Sequence, residues 1–278
     1  MQAPDFKTLT MVINNLENLI KDFVIIDTHI HLGPLSNLYM PSGSNDNIIK
    51  LLKKFGVKKA ICATHSSLST VNFGSIELPS ILEEYKDFLY GYFVFNPNFE
   101  EISLKTLENY LNKNLIVGVK IHPSWHFCYP FDKKYEKFWD FITERQIPVL
   151  THSWDPNVPN KAQKYSDPFF FEDIIKKHPS LKLILAHAGG RGEMLFKVIS
   201  LLENYTNLYV DFAGDIFVPG LIEEYVKRVG SKRLLFGTDM PWVDIRFQLA
   251  NIMSLDIDEN DKRNIFGLNA LKLFDLKI

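Results

Sequence analysis

Short runs of β-branched and aromatic residues return along the chain at 24–32, 58–66, 89–97, 115–123, 147–154, 181–189, 208–214 and 233–239. Each gives way to a charged segment with helical spacing, the alternation of a parallel α/β protein. The starts of these runs lie 34, 31, 26, 32, 34, 27 and 25 residues apart, room for one loop and one helix each time. The intervening segments 45–55, 102–111, 133–144, 169–177 and 221–229 carry apolar residues at i, i+3 and i+4. Eight strand–helix units in about 250 residues is the arithmetic of a closed (β/α)8 TIM barrel. The spacing therefore predicts an α/β fold in one domain, 1–278. An open doubly wound sheet is the alternative, but no GxGxxG follows the first strand, and Gly189-Gly190-Arg191-Gly192 lacks that spacing. Outside the repeat, 4–22 reads as an extra N-terminal helix with Met11, Val12, Leu16, Leu19 and Ile20 on one side, expected to cap the barrel floor. Two short C-terminal helices are expected at 258–265 and 268–274, around Gly267.

Composition narrows the partners. Of 278 residues 46% are apolar, enough to bury a large core, which excludes a disordered chain. Lys plus Arg number 31 against 33 for Asp plus Glu, a net charge of -2, without a run of like charges. A nucleic-acid binder or polybasic membrane anchor would carry a basic patch. A small-molecule substrate and a second copy of the chain, as a homodimer, are the expected partners. The two cysteines, Cys62 and Cys128, make no CxxC pair, which suits a reducing cytoplasm. The longest apolar stretches, such as 23–26, fall far short of the ~20 residues of a membrane span. The N-terminus, with Asp5 and Glu17 among its apolar residues, lacks the form of a signal peptide. A cytoplasmic protein is expected.

Five of the eight histidines, His29, His31, His65, His152 and His187, fall within two residues of the C-terminal end of a predicted strand, and His122 makes a sixth. In a barrel that end carries the active site. With a side-chain period of two, His29 and His31 share a face with Asp27, and one strand then offers two imidazoles to the barrel mouth. Strand five ends at His152, strand six at His187 and strand eight at Asp239. Three of these imidazoles with the one carboxylate suit a divalent ion such as zinc, with an open position for water.

The combination of HxH after strand one, histidines ending strands five and six, and Gly237-Thr238-Asp239-Met240-Pro241 ending strand eight resembles the amidohydrolase superfamily, in its amidohydrolase 2 branch. The segment Gly118-Val119-Lys120-Ile121-His122-Pro123 and the ending around Asn264-Ile265-Phe266-Gly267 are similar to that branch as well, so the likeness runs from about residue 24 to 274. Carried over, it implies that His29, His31, His152 and Asp239 hold one divalent metal ion, zinc being the expected one, and that His187 sits near the ion's water. Lys120 is then an unmodified lysine lining the pocket, rather than the carbamylated bridge of two-metal members.

An ion lowers the pKa of bound water from about 15.7 to about 7. Asp239 can relay a proton and His187 can act as general base or acid. The expected activity is therefore metal-dependent hydrolysis of an amide, lactone or ester in a small substrate. The alternative is nonoxidative decarboxylation of a small unsaturated or aromatic acid, since relatives such as the aminocarboxymuconate semialdehyde and resorcylate decarboxylases carry similar residues. A silent binding protein is a third reading. Arg191 and Arg246 are the arginines placed to meet a substrate carboxylate, and Trp125, Trp154 and Trp242 follow strand ends where they could face a flat ring. Lys120, Arg191 and Trp154 are the expected substrate-binding residues. His65, His122, His126 and Asp211 read as structural first.

Overall fold

The computed structural model describes residues 15–33, 43–68 and 75–278. Eight parallel strands follow one another in space in chain order: β1 (Ile25–Leu32), β2 (Val57–Thr64), β3 (Leu89–Val94), β4 (Gly118–Ile121), β5 (Val149–Thr151), β6 (Leu183–Leu185), β7 (Leu208–Asp211) and β8 (Leu234–Leu235). The ring closes between β8 and β1: Thr28 N donates to Phe236 O at 3.0 Å, Asp239 N to His29 O at 2.8 Å and His31 N to Met240 O at 2.7 Å. The fold is a (β/α)8 barrel.

Local sequence explains the elements. In Asn45–Lys54, Ser44 Oγ accepts from Asn47 N at 3.3 Å, Asp46 sits in the first turn and Lys53 and Lys54 in the last, so cap and charges both favour the helix dipole. That helix buries Ile48, Ile49 and Leu52 against the sheet. The strands are buried on both faces, which is why they read as nearly continuous apolar runs.

Alternate strand residues divide the core in two. Ile30, Cys62, Phe93, Val119, Val149 and Val210 pack outward against the helices. Ile61, Tyr92, Val94, Leu150, Ile184 and Leu235 fill the barrel, joined by Ala270, Leu273 and Phe274 of the helix Asn269–Phe274. The Phe274 ring meets Tyr92 edge-on at 5.9 Å. The floor is thus sealed by the C-terminal helix, which corrects the expectation for the N-terminal one. Within 4–22 the structure shows a helix only at Leu16–Ile20, whose buried Leu16 and Ile20 join the outer core, while 4–14 lie outside the described residues.

Two predicted strands end early for visible reasons. β6 stops at Leu185 because His187 and Ala188 turn into the left-handed region, with φ of 58° and 48°. β8 stops at Leu235 because Phe236 N donates to Ile265 O, at 2.9 Å, in the π-helical turn Asn264–Leu268. That turn lies so close to β1 that a Cβ on Gly267 would come within 2.2 Å of Val24 O. No helix among the described residues is long and apolar enough to cross a membrane.

A side chain at Gly267 would have to push this turn off β1. Gly267→Ala is expected to cost roughly 2 kcal/mol or more, a fall of about 5 °C in melting temperature. Leu268→Ala, on its exposed neighbour, should stay within about 2 °C. Thermal melts followed by circular dichroism read the difference, and equal losses would contradict the close approach.

Candidate functional site

The site is built where β1, β7 and β8 end. The β1–β2 register slips between Asp27 and Ile30, inserting a residue, so strict alternation fails where the sequence placed Asp27 and the two histidines on one face. His29 and His31 both line a cavity of about 350 Å³, and Asp27 does not. The Asp27 carboxylate is instead taken up by Thr238, accepting from its backbone N–H at 3.0 Å and its hydroxyl at 2.6 Å.

Each imidazole has its outer nitrogen committed. His29 Nδ1 lies 2.9 Å from Asp211 Oδ2, His31 Nδ1 3.3 Å from Ala63 O and His187 Nδ1 3.0 Å from Ala213 O. A carbonyl can only accept, so Nδ1 carries the proton in His31 and His187, and the buried Asp211 carboxylate asks the same of His29. Nε2 is left with a lone pair, the form in which a histidine binds a cation. Asp211 also holds the turn after β6, since its Oδ1 accepts from His187 N at 2.8 Å. That bond helps fix the left-handed backbone of His187, a conformation that costs free energy outside glycine.

Asp239, itself at φ 64°, brings Oδ1 to 3.2 Å from His31 Nε2 and 3.7 Å from His29 Nε2. The ligand atoms of His29, His31 and Asp239 all lie within 4.8 Å of one another, and so do those of His29, His187 and Asp211. His29 is pushed well below its ordinary pKa by burial first and by the Lys120 charge second, so it stays neutral. Lone pairs therefore face a carboxylate across gaps that call for a proton or a cation. Two neutral imidazoles and a carboxylate, with the imidazole protons drawn to the far side, fit a divalent ion.

The buried Lys120, at the middle of β4, places Nζ 3.0 Å from His29 Nε2. Burial lowers its pKa to about 8, against the raising charges of Asp211 and Asp239. His152 lines the same cavity but stands outside both donor clusters, with Nε2 3.1 Å from Gln163 Oε1 and its ring stacked on His122 at 4.1 Å. Trp154 lines the cavity beside it. Arg191 does not: it pairs with Asp215 and lies 5.1 Å over the Trp154 ring. Arg246 is tied to Asp244 at 2.6 Å. Three residues stand in the site without having been assigned to it from sequence, Asp211 because it read as structural first. Asp211 could have been found, since it ends β7 with the parity of an inward residue; Gln163 and Asn160 sit in a loop that no periodicity marks.

The family model described as Amidohydrolase matches residues 80–276. The gamma-resorcylate decarboxylase of Polaromonas sp. is 23% identical over 181 residues, 51% of this chain and 55% of that protein, so the match spans about half of each. The 2,6-dihydroxybenzoate decarboxylase from Rhizobium superposes with a TM-score of 0.71 at 17% identity, over 91% of this chain and 99% of that one. The 5-carboxyvanillate decarboxylase of Novosphingobium aromaticivorans, complexed with manganese and 4-hydroxy-3-methoxy-5-nitrobenzoic acid, superposes with a TM-score of 0.76 at 15% identity, over 92% and 97%. These relatives are carboxy-lyases, which overturns the expectation of a hydrolase: the same donor set serves both chemistries, and the likeness lies with C–C cleavage. With its family match reaching from before β3 through the C-terminal helix, the chain belongs to the amidohydrolase family, in its amidohydrolase 2 branch.

Proposed function

We propose that the protein is a metal-dependent nonoxidative decarboxylase of a small aromatic or otherwise unsaturated carboxylic acid. The observation that carries this reading is the buried Lys120 ammonium beside the donor cluster of His29, His31 and Asp239, in a cavity that also holds Trp125 and Trp154. It supplies a place for a carboxylate and a flat wall for a ring, and the decarboxylase relatives support it.

His29, His31 and Asp239 would hold the cation. Zinc suits the imidazoles and manganese suits the carboxylate equally well. When bound, the ion supplies positive charge that draws electron density from the substrate as the carboxylate departs. Lys120 binds and orients the carboxylate as a compact charge. Trp154, held in place by Arg191 stacked above it, orients the ring and excludes water. The bond from the ring carbon to the carboxylate breaks, carbon dioxide leaves, and the electron pair stays on the ring carbon, which takes a proton. His187, once its Nε2 has taken up a proton from solvent, delivers it there, while its Nδ1–H stays with Ala213 O. Asp239 suits the task less, since its carboxylate belongs to the donor set that would hold the cation. His152, outside the donor clusters, is assigned to the substrate rather than to the ion.

Protein loaded with manganese or zinc should retain about one ion per chain by mass spectrometry. His31→Asn should reduce this to roughly a tenth or less, because it removes a direct ligand, whereas His152→Asn should keep most of it. Loss of the ion from His152→Asn would return that residue to the ligand set.

Carbon dioxide release from 2,6-dihydroxybenzoate and 5-carboxyvanillate is the test of activity. His187→Asn should lower turnover by about 10²–10⁴ with metal content unchanged, the usual loss on removing a general acid. A wild-type protein that hydrolyses esters or lactones and releases no carbon dioxide from any benzoate would overturn the reading.

A further inference from the structure

The hydrogen bonds on the β4–β5 side of the cavity have a direction. Ser166, which is fully buried, accepts from Ser124 N at 3.1 Å, and its own hydroxyl proton has one partner among the described residues, Ser124 Oγ. Ser124 must then pass its proton on, to Gln163 Oε1 at 2.8 Å. The same oxygen lies 3.1 Å from His152 Nε2. An oxygen that already accepts from Ser124 fixes the carboxamide orientation, so His152 Nε2 is the donor there. Both lone pairs of Gln163 Oε1 are used, and its NH2 has no partner among the described residues. Asn160 repeats the pattern: its Oδ1 accepts from Ala162 N at 3.1 Å and caps the turn Lys161–Tyr165, leaving its NH2 over. His122 Nδ1 accepts from Trp125 N at 3.3 Å, which puts the ring proton on Nε2, and the Trp125 indole N–H has no partner among the described residues. All four side chains line the cavity. What they have left for a ligand is N–H.

The geometry points to a hydrogen-bond-donor wall, made by Gln163 and Asn160 with His122 and Trp125, that selects substrates with an oxygen acceptor on the ring in addition to the carboxylate. This rests on the aromatic-acid reading above and names the substituent it requires: a methoxy or phenolic oxygen, or a second carboxylate. An amino substituent at the same position sets N–H against N–H and leaves buried donors unpaired, which is costly. The cavity is polarised, with lone pairs at the His29, His31 and Asp239 end and donors at this one.

The test compares binding of the 2-, 3- and 4-methoxybenzoates with the corresponding aminobenzoates to manganese-loaded protein, read by quenching of tryptophan fluorescence. At one ring position or more, the wild type should favour methoxy over amino by at least about tenfold. Gln163→Glu keeps the acceptor for Ser124 and His152 but replaces the NH2 with an anion, and should bring that ratio below one. The added charge weakens all benzoates alike and cancels in the ratio. Asn160→Asp, which keeps the turn's cap, should lower the ratio in the same direction and carries the test if Gln163→Glu does not fold. A ratio unchanged within twofold in the folded variants, a wild type indifferent to the substituent, or no binding of any benzoate would overturn the donor wall. Carbon dioxide release followed in parallel separates the two readings. Release with an unchanged ratio removes the donor wall alone, and a collapsed ratio without release removes the decarboxylase alone.

Discussion

One buried carboxylate joins barrel closure to site geometry. Asp27 accepts from His29 N at 3.1 Å, from Thr238 N at 3.0 Å and from the Thr238 hydroxyl at 2.6 Å, and that hydroxyl accepts in turn from Met240 N at 3.0 Å. β8 is short and its ladder to β1 is sparse, so these bonds do much of what a longer ladder would. They fix the backbone on either side of His29 and of Asp239. Burial lifts the Asp27 pKa to about 7, and the bonds from Thr238 and His29 work against that rise. A buried acceptor with three donors around it is hard to replace, since removing the carboxylate leaves those donors unpaired at once.

The same design recurs one layer up. Asp211 touches both the His29 ring and the His187 backbone, so one side chain sets the tautomer of a ligand candidate and the turn that carries the proposed acid. Burial raises its pKa, while His187 and Lys120 lower it. Three carboxylates, Asp27, Asp211 and Asp239, thus crowd a region where Lys120 is the one buried lysine among the described residues. A divalent cation among them would relieve this crowding of negative charge.

Much of this architecture can be read from the chain before any coordinate. Strands buried on both faces must be apolar throughout, and their regular return leaves little besides a barrel; the histidines at strand ends follow from where barrel loops converge. Other features leave no mark. The register slip in β1 adds no glycine or proline, so alternation put Asp27 on the wrong face. The amphipathic pattern in 4–22 says that one face is covered, not by what, and the floor went to Phe274 and its neighbours instead. His152 is marked by its place at a strand end, but its partner Gln163 comes from a segment that hydrogen-bonds to the buried Ser124, and no pattern in the chain announces that contact. Hydrolysis and decarboxylation call on one donor set, so the ligands by themselves could not choose between them.

The helix that seals the floor follows all eight strands in sequence, and this sets an order on synthesis. In a nascent chain that has emerged only through β8, the lumen-lining residues Tyr92, Val94, Leu150 and Ile184 lack their cover from below until residue 274 has emerged too. An apolar lumen of that size in a half-made protein is the kind of surface that chaperones bind and that aggregates form around. On the ribosome the barrel is therefore a vessel without a base, and its commitment to the native state waits for the segment that fills it from beneath.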